Sequence, residues 1–440
     1  MNKTIAELYE VFLQSGKIST DTRQIIPGSI FFALKGERFD GNKFAIMALN
    51  NGCVLAVVDD KSLENKEGCF WVPDVLKTLQ NLGNYHRRQL RIPFIGITGS
   101  NGKTTTKELV AAVLSRKYNV WCTQGNFNNH IGVPLTLLEI PPATQIAVIE
   151  MGANHVGEIA ELCNIAQPDH GLITNVGKAH LEGFGSFEGV KKGKGELYAF
   201  LKQSGGEIFI NVDNEHLTGM IGDYPWIGYG KGKDAVVKAS EVSAEPLLKF
   251  LLTTSRVERM PVQTCLMGLY NLDNVLAAAS VGHYFGVEEE LVKDAVENYV
   301  PNNNRSQYFN SGKNQVLLDA YNANPSSMSV ALENFNAISH AKKILILGGM
   351  KELGFDSQKE HLRLLKTLES IDFEACYLTG NEFKEMLPDD DRFQWFKETA
   401  ELRKYLKNNK VRDALILIKG SRANRLESVA AVLRPGEINQ

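Results

Sequence analysis

Short apolar runs recur along the chain, most of them too brief for anything but a buried strand. They are SIFFAL (29–34), VLAVV (54–58), IPFIGIT (92–98), IAVIE (146–150), GLITNV (171–176), EIFINV (207–212), ILILG (344–348), ACYLT (375–379) and ALILIK (414–419). Unbroken runs rich in β-branched residues predict strands covered on both faces, as in a parallel sheet. Between several of them the period turns helical: within 104–118, Leu109, Val110, Val113 and Leu114 share one face. The N-terminal stretch MNKTIAELYEVFLQSGK has the same amphipathic spacing. Strands alternating with helices predict an α/β fold with largely parallel sheets.

At 440 residues the chain exceeds one ordinary core, and about 150 residues per domain suggests two to four domains. Two polar stretches serve as boundaries: 80–93, ending in Arg-Ile-Pro, and 301–314, PNNNRSQYFNSGKN. They divide the chain into three expected domains, 1–86, 87–311 and 312–440. A net charge of −3 with 22% charged residues argues against a nucleic-acid partner or a polybasic membrane contact. No apolar run approaches the ~18 residues of a membrane span. No secretory leader is visible. The six cysteines form no CxxC pair, which fits reduced thiols. A cytoplasmic protein is expected.

One stretch breaks the apolar pattern in a chemically pointed way. GITGSNGKTTTKE (96–108) follows a strand and opens a helix. Glycines let backbone N–H groups approach phosphate oxygens, the helix start adds partial positive charge, and Lys103 adds a full one. The hydroxyl of Thr104 can ligate Mg²⁺. In the common pattern GxxxxGK[ST] the first glycine would fall at Ile97, so this loop is a variant carrying Gly96 and Gly99 instead. A nucleoside triphosphate is the expected ligand. Glu150, closing the run 146–150, stands where a strand-end carboxylate would face the loop and its metal. By themselves His180 in NVGKAHLEGFGS reads as a structural histidine and Lys194 in KKGKGELY as part of a solvated basic run.

Several stretches together resemble the Mur ligases of bacterial cell-wall synthesis. They are the phosphate loop, GNFNNHIGVPLTLLE (125–139), IEMGANHVGEI (149–159), NVGKAHLEGFGS (175–186), MGLYNLDNVLAAA (267–279), DAYNANPSSM (319–328) and KGSR (419–422). STDTRQIIPGSIFFALKGERFDGNKF (19–44), GNFNNHIGVPLTLLE and YNANP look like the member that adds D-alanyl-D-alanine. The resemblance implies a small α/β N-terminal domain, a central P-loop ATPase-like domain and a Rossmann-like C-terminal domain that closes on ATP. It implies an ATP-dependent amide-bond ligase, with UDP-MurNAc-tripeptide and D-alanyl-D-alanine as substrates and an acyl phosphate between them.

The same resemblance distributes roles among the residues. Gly99, Ser100, Asn101, Gly102, Lys103, Thr104 and Thr105 would hold the phosphates. Thr104 and Glu150 would hold one Mg²⁺, with His180 and Lys194, the latter as an N-carbamate, on a second. Asn271 and Asn274 would meet the adenine side of ATP, Arg305 its phosphates and Asp319 the ribose. Ser19, Thr20, Asp21, Thr22 and Arg23 would handle the uridine nucleotide, although STDTR alone also reads as a turn or cap. Asn126, Asn128, Asn129 and His130 would sit at the sugar–peptide end. Tyr321, Asn322, Asn324, Lys419, Ser421 and Arg422 would grip the peptide carboxylates. Tyr270, Asn42 and Gly349 depart from the family pattern, which commonly has histidine, histidine and aspartate there. A monomer is expected.

Other readings remain open at this stage. A sibling ligase adding one amino acid, or a folylpolyglutamate synthase, would share the phosphate loop and Lys194. A nucleotide-dependent switch would need neither Lys194 nor His180, and a kinase would release a stable phosphorylated product.

Overall fold

The computed structural model describes residues 4–433. The outer ends of the first and third expected domains therefore lie outside the described residues.

The first unit starts with helix α1 (Ile5–Ser15). Thr4 and Glu7 form a reciprocal capping box at its start, and Gly16, at φ +63°, ends it. Strands β1 (Ile18–Ser19), β2 (Ile30–Phe32), β5 (Leu55–Val58) and β6 (Cys69–Trp71) form a parallel sheet in the order β1-β2-β5-β6. A two-residue-per-arm hairpin, β3 (Lys35–Gly36) and β4 (Phe39–Asp40), and helix α2 (Ala45–Asn50) fill the connection. Helix α3 (Val75–Gln89), capped by Asp74, runs past the expected boundary at 86. It has reason to. Leu79 and Leu82 sit in the first unit's core, while Arg87 donates to the carbonyls of Ala166 (2.9 Å) and Gln167 (2.8 Å) in the second.

The second unit carries a nine-stranded sheet ordered β15-β14-β13-β12-β11-β10-β7-β9-β8. These strands are β7 (Phe94–Thr98), β8 (Val120–Cys122), β9 (Ile146–Glu150), β10 (His170–Ile173), β11 (Glu207–Asn211), β12 (Ile227–Gly230), β13 (Val237–Ala244), β14 (Leu247–Thr253) and β15 (Met260–Met267). The first seven run parallel, and every residue of β7 and β9 is buried, as their apolar runs predict. β13–β15 pair antiparallel. They alternate buried and exposed positions with Lys, Gln and Thr interspersed, so no apolar run marks them in the sequence. Helices α4 (Lys103–Leu114), α5 (Gly132–Leu138), α6 (Glu158–Ala166), α7 (Leu181–Phe184), α8 (Phe187–Ser204), α9 (Glu215–Ile221), α10 (Asn271–Tyr284) and α11 (Glu289–Asn298) cover the faces. Leu109, Val110, Val113 and Leu114 of α4 are wholly buried, as their spacing predicts.

The third sheet is ordered β16-β17-β21-β18-β19-β20, from β16 (Gln307–Asn310), β17 (Asn314–Asp319), β18 (Lys343–Gly348), β19 (Ala375–Thr379), β20 (Phe393–Phe396) and β21 (Ala414–Lys419). Only β16 is antiparallel to its neighbour. That hairpin draws Gln307–Asn310 into the third sheet, so the unit begins ahead of residue 312. Helices α12 (Pro325–Ala337), α13 (Ser357–Leu368), α14 (Thr399–Asn408) and α15 (Glu427–Leu433) pack against it. Chain order reverses between β18 and β21, and open α/β sheets bind ligands outside the carboxyl ends of strands at such a point. Among the described residues no helix is long and apolar enough to cross a membrane.

Candidate active site

The phosphate loop forms where three parallel strands end together. Ile97 lies opposite Glu150 of β9, and Thr98 opposite Ile173 of β10. Beyond Thr98 the chain turns through two glycines that neighbours leave no room to replace. A Cβ on Gly99 (φ +146°) would stand 2.0 Å from Thr174 Oγ1, and one on Gly102 (φ +79°) 2.5 Å from Asn274 Oδ1. The loop is pinned from the side of β10. Ser100 N donates to Asn175 O (2.9 Å), Asn101 N to Asn175 Oδ1 (3.0 Å), and Gly177 N to Ser100 Oγ (2.9 Å). Lys103 Nζ donates to the carbonyls of Gly99 (2.7 Å) and Ser100 (3.3 Å). Burial pushes its pKa down to about 8, against the pull of Glu150 and with Arg305 adding to the fall. An incoming polyphosphate would pull it back up.

Glu150 is 1% exposed. Its Oε1 accepts from Thr104 Oγ1 (3.2 Å) and Asn128 Nδ2 (2.7 Å), while Oε2 is buried with no hydrogen-bond partner. An orphaned carboxylate oxygen beside a threonine hydroxyl is a fit for a hard cation. Among the described residues no three His, Cys, Asp or Glu side chains gather as a ready-made metal cluster. Remaining ligands would have to come from a bound phosphate or from a modified side chain. His180 precedes α7 in a left-handed conformation (φ +52°), its Nδ1 2.5 Å from Glu352 Oε2 of the third unit. Lys194 does not belong to a solvated run. It is fully buried on α8, with Nζ donating to Ala153 O (2.9 Å) and 5.1 Å from the centre of the Phe184 ring. Burial first, and the charge of Lys103 second, hold its pKa well below the usual lysine value.

Opposite the loop stand side chains of the third unit. Asp319 and Lys419 end the adjacent strands β17 and β21 and form an ion pair, with Lys419 almost fully buried. Lys419 is thus ion-paired in this conformation while still lining the cavity. Arg305 stands over the Tyr321 ring, its guanidinium carbon 3.7 Å from the ring centre and its Nε buried without a partner. Arg422 approaches the same ring at 5.2 Å and donates to the Tyr321 hydroxyl (3.2 Å). Asn324 caps α12 and donates through Nδ2 to Asn101 Oδ1 (2.8 Å), while Asn322 Oδ1 accepts from Ala323 N. A cavity of about 740 Å³ takes in Ser100–Thr105, Asn126, Asn128, Asn129, His130, Glu150, His180, Asn271, Asn274, Arg305, Asp319, Tyr321, Asn322, Asn324, Lys419 and Arg422.

Comparison with known proteins decides the family. Residues 97–282 match the Mur ligase middle domain, 304–422 the Mur ligase glutamate ligase domain, and 16–100 the Mur ligase family catalytic domain. The UDP-N-acetylmuramoyl-tripeptide–D-alanyl-D-alanine ligase of Bacillus subtilis is 34% identical over 94% of this chain and 92% of its own. The chain belongs to the Mur ligase family. Among solved Mur ligases, MurF of Acinetobacter baumannii superposes with a TM-score of 0.86 at 30% identity, covering 95% of this chain and 93% of that one. MurF of Thermotoga maritima, solved with ADP, gives 0.85 at 27% identity over 96% and 97%.

In this Mur ligase some expected site residues lie elsewhere. Ser19, Thr20, Asp21, Thr22 and Arg23 do not line the cavity. Asp21 caps a short turn by accepting from Arg23 N (2.9 Å), and its carboxylate also accepts from Nε and Nη2 on one edge of the Arg23 guanidinium. Ser421 donates to Asn424 Oδ1 instead, and neither Gly99 nor Lys194 lines the cavity. Asn271 and Asn274 brace helices: Asn271 Nδ2 donates to Met267 O (2.7 Å), Asn274 Nδ2 to Asn271 Oδ1 (2.9 Å), and Thr106 Oγ1 to Asn274 Oδ1 (2.9 Å). Asn129 Oδ1 accepts from Gly132 N (2.8 Å) at the start of α5. Asn175, Asp273, Ser326 and Glu352 also line the cavity and went unnoticed in the sequence. Asn175, Asp273 and Ser326 fall inside the stretches NVGKAHLEGFGS, MGLYNLDNVLAAA and DAYNANPSSM, whereas Glu352 had no local signal.

Proposed function

We propose that this Mur ligase joins D-alanyl-D-alanine to UDP-MurNAc-tripeptide with ATP as the energy source. The observation that carries the reading is the variant phosphate loop beside a buried, half-satisfied Glu150 in a cavity that the third unit also lines. Full-length relatives that bear this activity in their names support it, as does a MurF ligase solved with ADP. The sibling and switch readings explain less, because the similarity extends through the N-terminal unit and YNANP.

The loop amides, Lys103 and Arg305 would gather the triphosphate, whose anionic oxygens would otherwise repel the incoming carboxylate. Thr104 and Glu150 would hold one Mg²⁺, and His180 with Lys194 as an N-carbamate a second; such ions, when bound, neutralise charge around the transferring phosphoryl group. A carboxylate oxygen of the tripeptide bonds to the γ-phosphorus as the bond to the β-bridging oxygen breaks, and ADP departs with the electron pair. The dipeptide amine, having lost its ammonium proton, then attacks the acyl carbon, and the acyl C–O bond breaks to free phosphate. Asn126 and His130 border the sugar–peptide end, and Tyr321, Asn322 and Arg422 border the dipeptide. Adding CO₂ to Lys194 requires a neutral amine, which its burial favours.

We further propose three domains with boundaries near 90 and 305, a monomeric enzyme, and a cytoplasmic location. The deciding assay is phosphate release from Mg-ATP with UDP-MurNAc-tripeptide, with and without D-alanyl-D-alanine. Release needing both is expected. Release with UDP-MurNAc-dipeptide and a single amino acid would move the protein to a sibling step, and release without any acceptor would overturn the ligase reading.

A further inference from the structure

Lys178 holds the third unit at two points. Its backbone N donates to Ser326 Oγ at the start of α12 (2.8 Å), and its Nζ meets Glu360 Oε1 of α13 (2.8 Å). Glu360 is 4% exposed, and this ion pair reaches it from the second unit. A buried carboxylate stripped of its partner is strongly disfavoured, so the seated position of α13 depends on Lys178. Beside the pair lies a crevice of about 430 Å³ between the units. The contact is therefore not a by-product of continuous apolar packing.

The preceding residues connect this grip to the nucleotide site. Asn175 and Gly177 make the hydrogen bonds that pin Ser100 and Asn101 of the phosphate loop. Gly177 itself has no room for a side chain, since a Cβ would stand 2.8 Å from Ser326 Oγ. One short segment, Asn175–Lys178, thus fixes the loop on one side and the third unit on the other.

We propose that Lys178 and Glu360 are positioning residues that couple nucleotide binding to seating of the third unit, acting through Asn175–Lys178. The proposal rests on the nucleotide site described under the proposed function, but not on the identity of the amino acids joined. Coupling is reciprocal: whatever favours the seated unit tightens nucleotide binding by the same factor.

The test is a charge-reversal cycle, with Mg-ADP binding read by calorimetry, compaction by small-angle scattering, and folding by melting temperature. Lys178→Glu and Glu360→Lys should each weaken Mg-ADP binding about tenfold and reduce ligand-induced compaction. The swapped double variant should recover to within about threefold of the wild type, because the pair is restored with reversed polarity. Should reversal prevent folding, Lys178→Met, Glu360→Gln and their combination give the same cycle, with non-additive losses expected. Folded single variants that bind Mg-ADP like the wild type would overturn the proposal, as would a double variant no better than the worse single. A wild type that binds Mg-ADP but ligates neither substrate would overturn the reaction instead and leave this cycle to be judged on its own.

Discussion

Glu150 and Lys194 put their chemistry on buried atoms, and each can be tested by a near-isosteric change. Glu150→Gln keeps the shape and can still accept from Thr104 or Asn128, but loses the charge that its unpartnered oxygen presents. Turnover should fall at least about a hundredfold with the melting temperature nearly unchanged. Lys194→Met should leave Mg-ADP binding measurable and abolish ligation, and removing CO₂ from wild-type assays should lower turnover until bicarbonate is restored. Asp273 offers a pH signature. Burial, with Asp213 nearby, raises its pKa to about 6 from an ordinary 3.8. The folded state then holds a proton that the unfolded state has released between those values, so stability falls as pH rises through that window. Asp273→Asn should therefore stabilise the protein at pH 7.5, by about 1–2 kcal/mol, and hardly at all at pH 4, as thermal melts at the two pH values would show. Of these three, only Glu150 had a local signature, at the end of an apolar strand. Lys194 looks like its solvated neighbours because its burial is decided by Ala153 and Phe184, which local spacing does not reveal.

At the scale of elements, the parallel strands were legible because strands covered on both faces need unbroken apolar runs. β13–β15 were not, because strands with one wet face dilute that signal. The helix pair α4–α10 shows a second kind of hidden information. Thr106 Oγ1 donates to the buried Asn274, which in turn excludes any side chain at Gly102. Thr106→Val should leave Asn274 Oδ1 without its donor and cost about 1–3 kcal/mol by denaturant titration. Nucleotide affinity should drop as well, since the loop's shape rests on that amide. Glu108 of α4 accepts from Tyr299 (2.5 Å) and Asn303 (3.0 Å) in the connection that delivers Arg305. Glu108→Ala should speed amide exchange across 299–306 and lower turnover without unfolding the sheet.

Across the whole molecule, the site exists only because units far apart in sequence meet over the phosphate loop. His180 meets Glu352, Asn101 meets Asn324, and Lys178 meets Glu360. Glu352 and Glu360 are ordinary surface charges to any reading of local pattern, since their partners lie some 170 residues away or more. The motifs named the family and most of the cavity, but they could not show which charges would be buried at the seam. Lys178–Glu360 is an ion pair whose lysine is partly exposed, so raising salt should weaken Mg-ADP binding to the wild type more than to a variant lacking that pair. Calorimetry at low and high ionic strength would measure the difference.

His180 carries a consequence for how such a chain evolves. A non-glycine residue at φ +52° costs roughly 1 kcal/mol or more relative to one at ease there. Glycine at 180 would relieve that cost and remove the imidazole from the cavity. A library of this protein sorted only for heat resistance should accordingly enrich glycine at 180, and the enriched clones should be inert. Sorted for growth instead, the same library should keep histidine and tolerate the weaker fold.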